Sequence, residues 1–102
     1  MPRLTPHHHT TPNARAWAED FSALGHAYRV QVLLELANGP KTATELGQAV
    51  GLLQSTMSYH LRILREHGLV TWTRQGQSLV YRTNDLALQQ LKVALRRMQP
   101  RR

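Results

Sequence analysis

Between Gln54 and His67, polar side chains that can recognise a partner alternate with apolar ones at helical spacing. At about 100° per residue, Met57, Leu61 and Leu64 fall within about 60° of one another and form a side to be buried. Ser55, Tyr59, Arg62 and Glu66 fall opposite, flanked by Ser58 and Arg65. This is the chemistry of recognition, not of bond-making. A glutamine amide such as that of Gln54 can pair bidentately with adenine, a serine hydroxyl suits several bases, and a guanidinium suits phosphate. Polar residues on an exposed helix are ordinarily just solvated. Here a single face, opposite a core stripe, concentrates groups matched to base edges and phosphates.

Other chemistries find no support. The chain has no cysteine, so disulfides, thiolate metal sites and thiol redox sensing are excluded. No phosphate-binding glycine loop is present, and His60 has no acid partner at helical spacing, so no catalytic activity is expected. His60 lies on the core flank of its helix and reads as a hydrogen-bonded structural histidine. His7, His8 and His9 are adjacent residues on a segment without periodicity, which gives a metal no preformed geometry.

The charge distribution points to the partner. The chain of 102 residues has a formal net charge of +7. Its first fifty residues hold four basic and four acidic side chains, whereas the remainder holds nine basic and two acidic, so the whole excess lies in the second half. A polyanion docking there is the simplest reading. At 41% hydrophobic, the chain can bury one core. No run approaches the roughly 18 apolar residues of a membrane span, and Met1 to Thr11 lacks the apolar centre of a signal peptide. The expectation is a soluble, cytoplasmic protein with no membrane partner.

The elements that must position the polar face can be read in order. Residues 1–11 read as a flexible tail and residues 12–99 as one domain. Thr11 caps a first helix with Pro12 at its first position, and Gly25 ends it. Ala14, Trp17, Ala18, Phe21 and Leu24 follow helical spacing. The second helix runs from about Ala27 to Ala37, with Val30, Leu33, Leu34 and Ala37 as its expected buried stripe, and Asn38-Gly39-Pro40 stops it. Thr42 and Glu45 have capping-box spacing, opening a short third helix with Leu46, Ala49 and Val50 inward and Gly51 at its end. A tight turn then leads into the polar-faced helix, which Gly68 closes: a helix-turn-helix pattern. The period next switches to two, through Leu69–Arg74 and Leu79–Thr83 around Gly76, which predicts a β-hairpin wing.

Asn84 and Asp85 cap a last helix to about Met98. Its stripe of Leu88, Leu91, Leu95 and Met98 is joined by Leu86 and Val93 on nearly the other side. A terminal helix apolar on two faces has more to bury than its own domain covers. The predicted architecture is therefore mainly α with a β-hairpin wing, a five-helix winged helix-turn-helix. It forms a homodimer through its first and last helices, using Trp17, Phe21, Leu88, Leu91, Leu95 and Met98.

Three segments carry a resemblance. Residues 24–36 (LGHAYRVQVLLEL) look like the opening of the ArsR/SmtB family of bacterial repressors. Residues 45–70 (ELGQAVGLLQSTMSYHLRILREHGLV) are similar to its recognition-helix region, and Gly76 with Tyr81 and Arg82 resembles its wing. The resemblance spans about Phe21 to Asn84. It implies a homodimeric repressor on an imperfect inverted repeat of double-stranded DNA, relieved by a ligand or metal. The fourth helix would then lie in the major groove, with Gln54, Ser55, Ser58 and Tyr59 towards base edges and Thr56 supporting the backbone side. Arg62 and Arg65 would meet phosphates. Arg74 and Gln77 at the wing tip would enter the minor groove, and Thr42 and Thr44 would help a helix N-terminus bind a phosphate.

The departures concern sensing. The family's Cys-x-Cys positions read Thr42 and Thr44 here, and hydroxyls are poor ligands for soft metals. Of the family's last-helix metal ligands Asp85 remains, while the others read Ala87, Met98 and Arg101. No metal or other cofactor is expected at these positions, and Asp85 reads as a helix N-terminal acid. Leu53 stands where the family often has a serine cap, leaving open whether it packs into the turn. An unknown small organic effector between the first and last helices, or no effector at all, fits the missing metal ligands. The rival function is a winged-helix module that binds protein or RNA without promoter recognition.

Overall fold

A computed structural model describes residues 12–100. In chain order these form α1 (Pro12–Leu24), α2 (Ala27–Leu36), β1 (Lys41–Thr42), α3 (Ala43–Val50), α4 (Gln54–Glu66), β2 (Val70–Gln75), β3 (Ser78–Thr83) and α5 (Asp85–Met98). The Thr11 cap, the His7–His9 run, the tail and Arg101 lie outside the described residues.

Local chemistry sets the boundaries. Thr42 Oγ1 accepts from the Glu45 backbone N–H at 3.2 Å, and Glu45 Oε1 accepts from that of Thr42 at 2.8 Å, so the expected capping box forms. Gly51 adopts φ 85° and donates to the Gly47 carbonyl at 2.8 Å, ending α3 in the left-handed conformation that glycine tolerates best. Asn84 caps α5 by accepting from the Ala87 backbone N–H, while its amide donates to the Gly68 carbonyl at 2.8 Å and ties the start of α5 to the end of α4.

The hairpin pairs Val70 with Thr83 through to Gln75 with Ser78, leaving Gly76 and Gln77 as a two-residue turn. Gly76 supplies the positive φ (62°) that such turns require. A third strand, β1, was not legible in the sequence. It pairs antiparallel with β3, Lys41 with Tyr81 and Thr42 with Val80, giving the sheet order β1-β3-β2. Two residues are too few to show a period, yet they fasten the start of the helix-turn-helix to the wing. Beyond Val70 every residue of β2 is exposed, whereas β3 packs inward through half-buried Leu79 and Val80 and buried Tyr81, so β2 forms the outer edge of the wing.

One core serves the described residues: Val32, Leu36, Leu46, Met57, Leu61, Leu64, Leu69, Val70 and Leu91 are buried together. The expected α2 stripe needs correction. Val32 and Leu36 are buried and Leu33 is half-buried, whereas Val30 is 42% and Leu34 64% exposed and Ala37 is exposed. Helical spacing fits both sets in a helix this apolar, and periodicity alone does not choose between them. In α3, Ala49 is exposed and Gly47 takes the inward place. A Cβ on Gly47 would lie 2.9 Å from the Leu52 carbonyl oxygen, so the turn closes over a position without a side chain.

Candidate nucleic-acid interface

Three elements converge at one end of the molecule. The N-terminus of α3, the first half of α4 and the wing tip surround a groove of about 250 Å³. Five of the residues expected to meet DNA line it: Thr42, Thr44, Gln54, Ser58 and Gln77. The β1–β3 pairing explains this meeting, because it brings the wing against the start of α3.

The remaining candidates flank the groove without lining it. Ser55, Thr56, Tyr59, Arg62 and Arg65 are all exposed on α4, and Arg74 is exposed on β2, paired with Leu79. The α4 core stripe of Met57, Leu61 and Leu64 is buried as its spacing predicts. The Arg62 guanidinium lies over the Tyr59 ring, 5.7 Å from its centroid. This cation–π contact pre-orders a charge at the outer face. Ser55, Tyr59 and Arg62 are thus presented to solvent, where a groove-binding helix needs them.

Thr42 has less freedom than its exposed neighbours. It is half-buried, and its hydroxyl oxygen already accepts in the capping box. Any contact from it to a phosphate therefore relies on the hydroxyl proton. At the start of α4 the reverse holds. Leu53 makes no cap and is 77% exposed, so it does not pack into the turn. The first-turn N–H groups of α4 have no side-chain cap from Leu53, an arrangement suited to water or an anion. Leu53→Ser is expected to supply the cap and stabilise the fold by about 1 kcal/mol. A melting temperature no higher than that of the parent protein would contradict this.

Two features of the site were not anticipated. Arg82 Nη1 donates to Thr73 Oγ1 at 2.7 Å across the hairpin, stiffening the wing. His60 is buried as expected but not hydrogen-bonded at Nδ1, which has no partner among the described residues. It packs instead against the rings of His26, Tyr28 and Tyr59. Burial first, then the charges of His26 and Arg29, hold its pKa below the ordinary histidine value. Nothing in the spacing of residues 26 and 60 signals this meeting.

At the far side, α1 and α5 leave apolar surface uncovered. Of the residues expected at a dimer interface, Leu95 is 54% and Met98 59% exposed in the single chain, while Trp17, Phe21 and Leu88 are half-buried. Leu91 differs: it is 4% exposed within the single chain and belongs to the core, because it faces inward beside Ala94. Leu86 and Val93 are exposed and, with Ala16 and Trp17, line a cleft of about 710 Å³ between the two helices.

The positions at which a family metal site would form do not fit one. Thr42 is engaged in its cap, Asp85 accepts from the Thr83 hydroxyl at 2.9 Å, and Ala87 has no ligating atom. No cluster of three or more potential ligands occurs among the described residues. No described helix is long and apolar enough to cross a membrane.

Comparison with known proteins places this geometry in context. The profile of bacterial regulatory proteins of the arsR family matches residues 27–71. The transcriptional regulator NmtR of Mycobacterium tuberculosis is 42% identical over 74 residues, covering 72% of this chain and 62% of NmtR, so the chain matches less than two thirds of that relative. The arsenical resistance operon repressor of Bacillus subtilis is 33% identical over 72 residues, covering 70% of this chain and 69% of the repressor. The crystal structure of NolR from Sinorhizobium fredii superposes with a TM-score of 0.73 at 30% identity, covering 93% of each chain. The homodimeric winged helix-turn-helix DNA-binding domain Mb0332 of Mycobacterium bovis superposes with a TM-score of 0.71 at 27% identity, covering 93% of this chain and 88% of that one.

Proposed function

Since the chain belongs to the arsR family of bacterial regulatory proteins, we propose that it is a homodimeric transcriptional repressor that binds an inverted repeat in double-stranded DNA. One observation carries the reading: α3, α4 and the wing bring Thr44, Gln54, Ser58 and Gln77 to one groove, beside an exposed Tyr59–Arg62 face. In this reading α4 enters the major groove. Gln54, Ser55, Ser58 and Tyr59 approach base edges, Thr56 supports the turn, and Arg62, Arg65 and the N-terminus of α3 hold phosphates. Arg74 and Gln77 reach the adjacent minor groove.

The dimer pairs α1 and α5 of two copies, as the exposed Leu86, Val93, Leu95 and Met98 favour. Two recognition helices then face two half-sites related by a twofold axis. The protein acts where the chromosome is, in the cytoplasm, as a regulator and not an enzyme. Relief of repression does not run through the family's metal positions. The cleft between α1 and α5 offers a small organic effector a place from which to alter dimer geometry.

The test is a mobility shift on the DNA upstream of the protein's own gene. Retention of the complex against excess random duplex supports promoter recognition; equal competition by random duplex, or preference for RNA, favours a winged-helix module of another kind. Arg62→Ala is expected to weaken binding to every duplex and lower the salt slope by about one. A loss confined to one operator base would contradict the phosphate role.

A further inference from the structure

The rings of His26, Tyr28, His60 and Tyr59 form a continuous cluster from the N-terminus of α2 to the outer face of α4. The His26 and His60 centroids are 4.6 Å apart, Tyr28 meets His60 at 5.7 Å, and His60 meets Tyr59 at 5.3 Å. Tyr59 in turn carries the Arg62 guanidinium. His60 is 4% exposed with an orphaned Nδ1, and an unsatisfied buried nitrogen costs free energy that a plain apolar residue would not.

On the reading that the outer face of α4 binds duplex DNA, we propose that His60 is a positioning residue that, packed against His26, holds Tyr59 and Arg62 in their DNA-binding arrangement only while its imidazole is neutral. His26 Nδ1 accepts from the Tyr28 backbone N–H at 3.2 Å, which fixes the His26 ring at the start of α2, where it packs on His60. A proton on His60 creates a charge in a buried site that faces cations. From α2 it meets His26 and the permanent charge of Arg29, with Tyr28 alongside, and on α4 its neighbour is Tyr59. No carboxylate is among the groups acting on it. Asp20 of α1 faces His67 at 4.0 Å, and Glu45 of α3 closes the capping box.

The sign follows from linkage. His60 binds its proton less readily folded than unfolded, so its packing is fully stabilising above the unfolded value and weakens as pH falls towards the lowered folded one. The window opens below about pH 6.5. Protonation of a histidine elsewhere adds positive charge and strengthens attraction to phosphates, so a fall in affinity on acidification carries the opposite sign.

The experiment is fluorescence anisotropy of the full chain with a labelled duplex of its own upstream DNA, at fixed ionic strength, from about pH 8 to about pH 5.5. The parent protein is expected to lose affinity by roughly fivefold over this range, within the limit of about tenfold per pH unit for one linked proton. His60→Phe keeps a ring and loses the slope. His26→Gln removes a ring that buries His60 and moves the midpoint to higher pH, while His67→Gln leaves the profile in place. An affinity that is flat or rises on acidification, or a slope retained in His60→Phe, overturns the proposal. If His60→Phe does not fold, an unmoved midpoint in His26→Gln overturns it instead. Failure of the parent protein to bind any duplex at about pH 8 contradicts the DNA reading itself, which separates the two.

Discussion

Replacing Leu95 and Met98 together by glutamate is expected to leave a folded monomer that has lost duplex affinity by about two orders of magnitude or more. Both side chains are more than half exposed in the single chain, so the substitution removes little from the protomer's own core. In the proposed dimer each copy contributes both, so four large apolar side chains are at stake. At about 1.5–3 kcal/mol for each fully buried side chain, their loss is comparable with the roughly 8 kcal/mol that holds a micromolar complex. Four introduced carboxylates add a desolvation cost. Each monomer then meets one half-site alone and forfeits the gain of simultaneous engagement. Sedimentation equilibrium and a mobility shift check both halves of the prediction. A variant that remains dimeric contradicts the α1/α5 interface. Leu91→Glu is not a substitute, because Leu91 is a core residue and a carboxylate there is expected to destabilise the protomer itself.

The second large effect concerns the turn before the recognition helix. Gly47→Val should destabilise the fold by about 2–3 kcal/mol and weaken DNA binding in parallel. Even a bare Cβ there would stand 2.9 Å from the Leu52 carbonyl oxygen, and that neighbour is backbone in the link between α3 and α4. Valine adds two methyl groups at the same point. Replacing glycine inside a helix ordinarily gains up to about 1 kcal/mol of propensity, which is smaller than the overpacking cost and does not reverse the sign. For a domain of this size the loss corresponds to a fall in melting temperature of roughly 10–20 °C. A melting temperature within a few degrees of the parent's would show that the turn yields more easily than this packing implies.

Much of this arrangement is written locally and can be read without coordinates. The α4 stripe of Met57, Leu61 and Leu64, the Thr42–Glu45 capping box, the Asn84 cap and the two-residue hairpin turn each depend on residues a few positions apart. The outer face of α4 follows from its buried face, which is why the exposure of Ser55, Tyr59 and Arg62 is legible in the spacing. What escaped depends on long-range partners. Strand β1 exists because β3 is there to pair with it, and α2 turns Val32 and Leu36 inward because the remaining elements meet that side. Leu91 lies in the protomer's own core and not on the expected interface for a related reason: an apolar helix stripe does not say where that core ends and a partner's surface begins. The His26–His60 contact joins residues thirty-four positions apart and leaves no local trace.

On the proposed function, the groove between α3, α4 and the wing is the surface that meets duplex DNA. Titrating isotope-labelled protein with a duplex of its own upstream DNA, and following backbone amide resonances, tests this directly. The predicted result is a set of shifts at Thr42 to Glu45, Gln54 to Arg62 and Arg74 to Ser78, with the helices α1 and α5 unaffected. Shifts confined to α1 and α5, or none in the recognition helix at concentrations that saturate the complex, would contradict it.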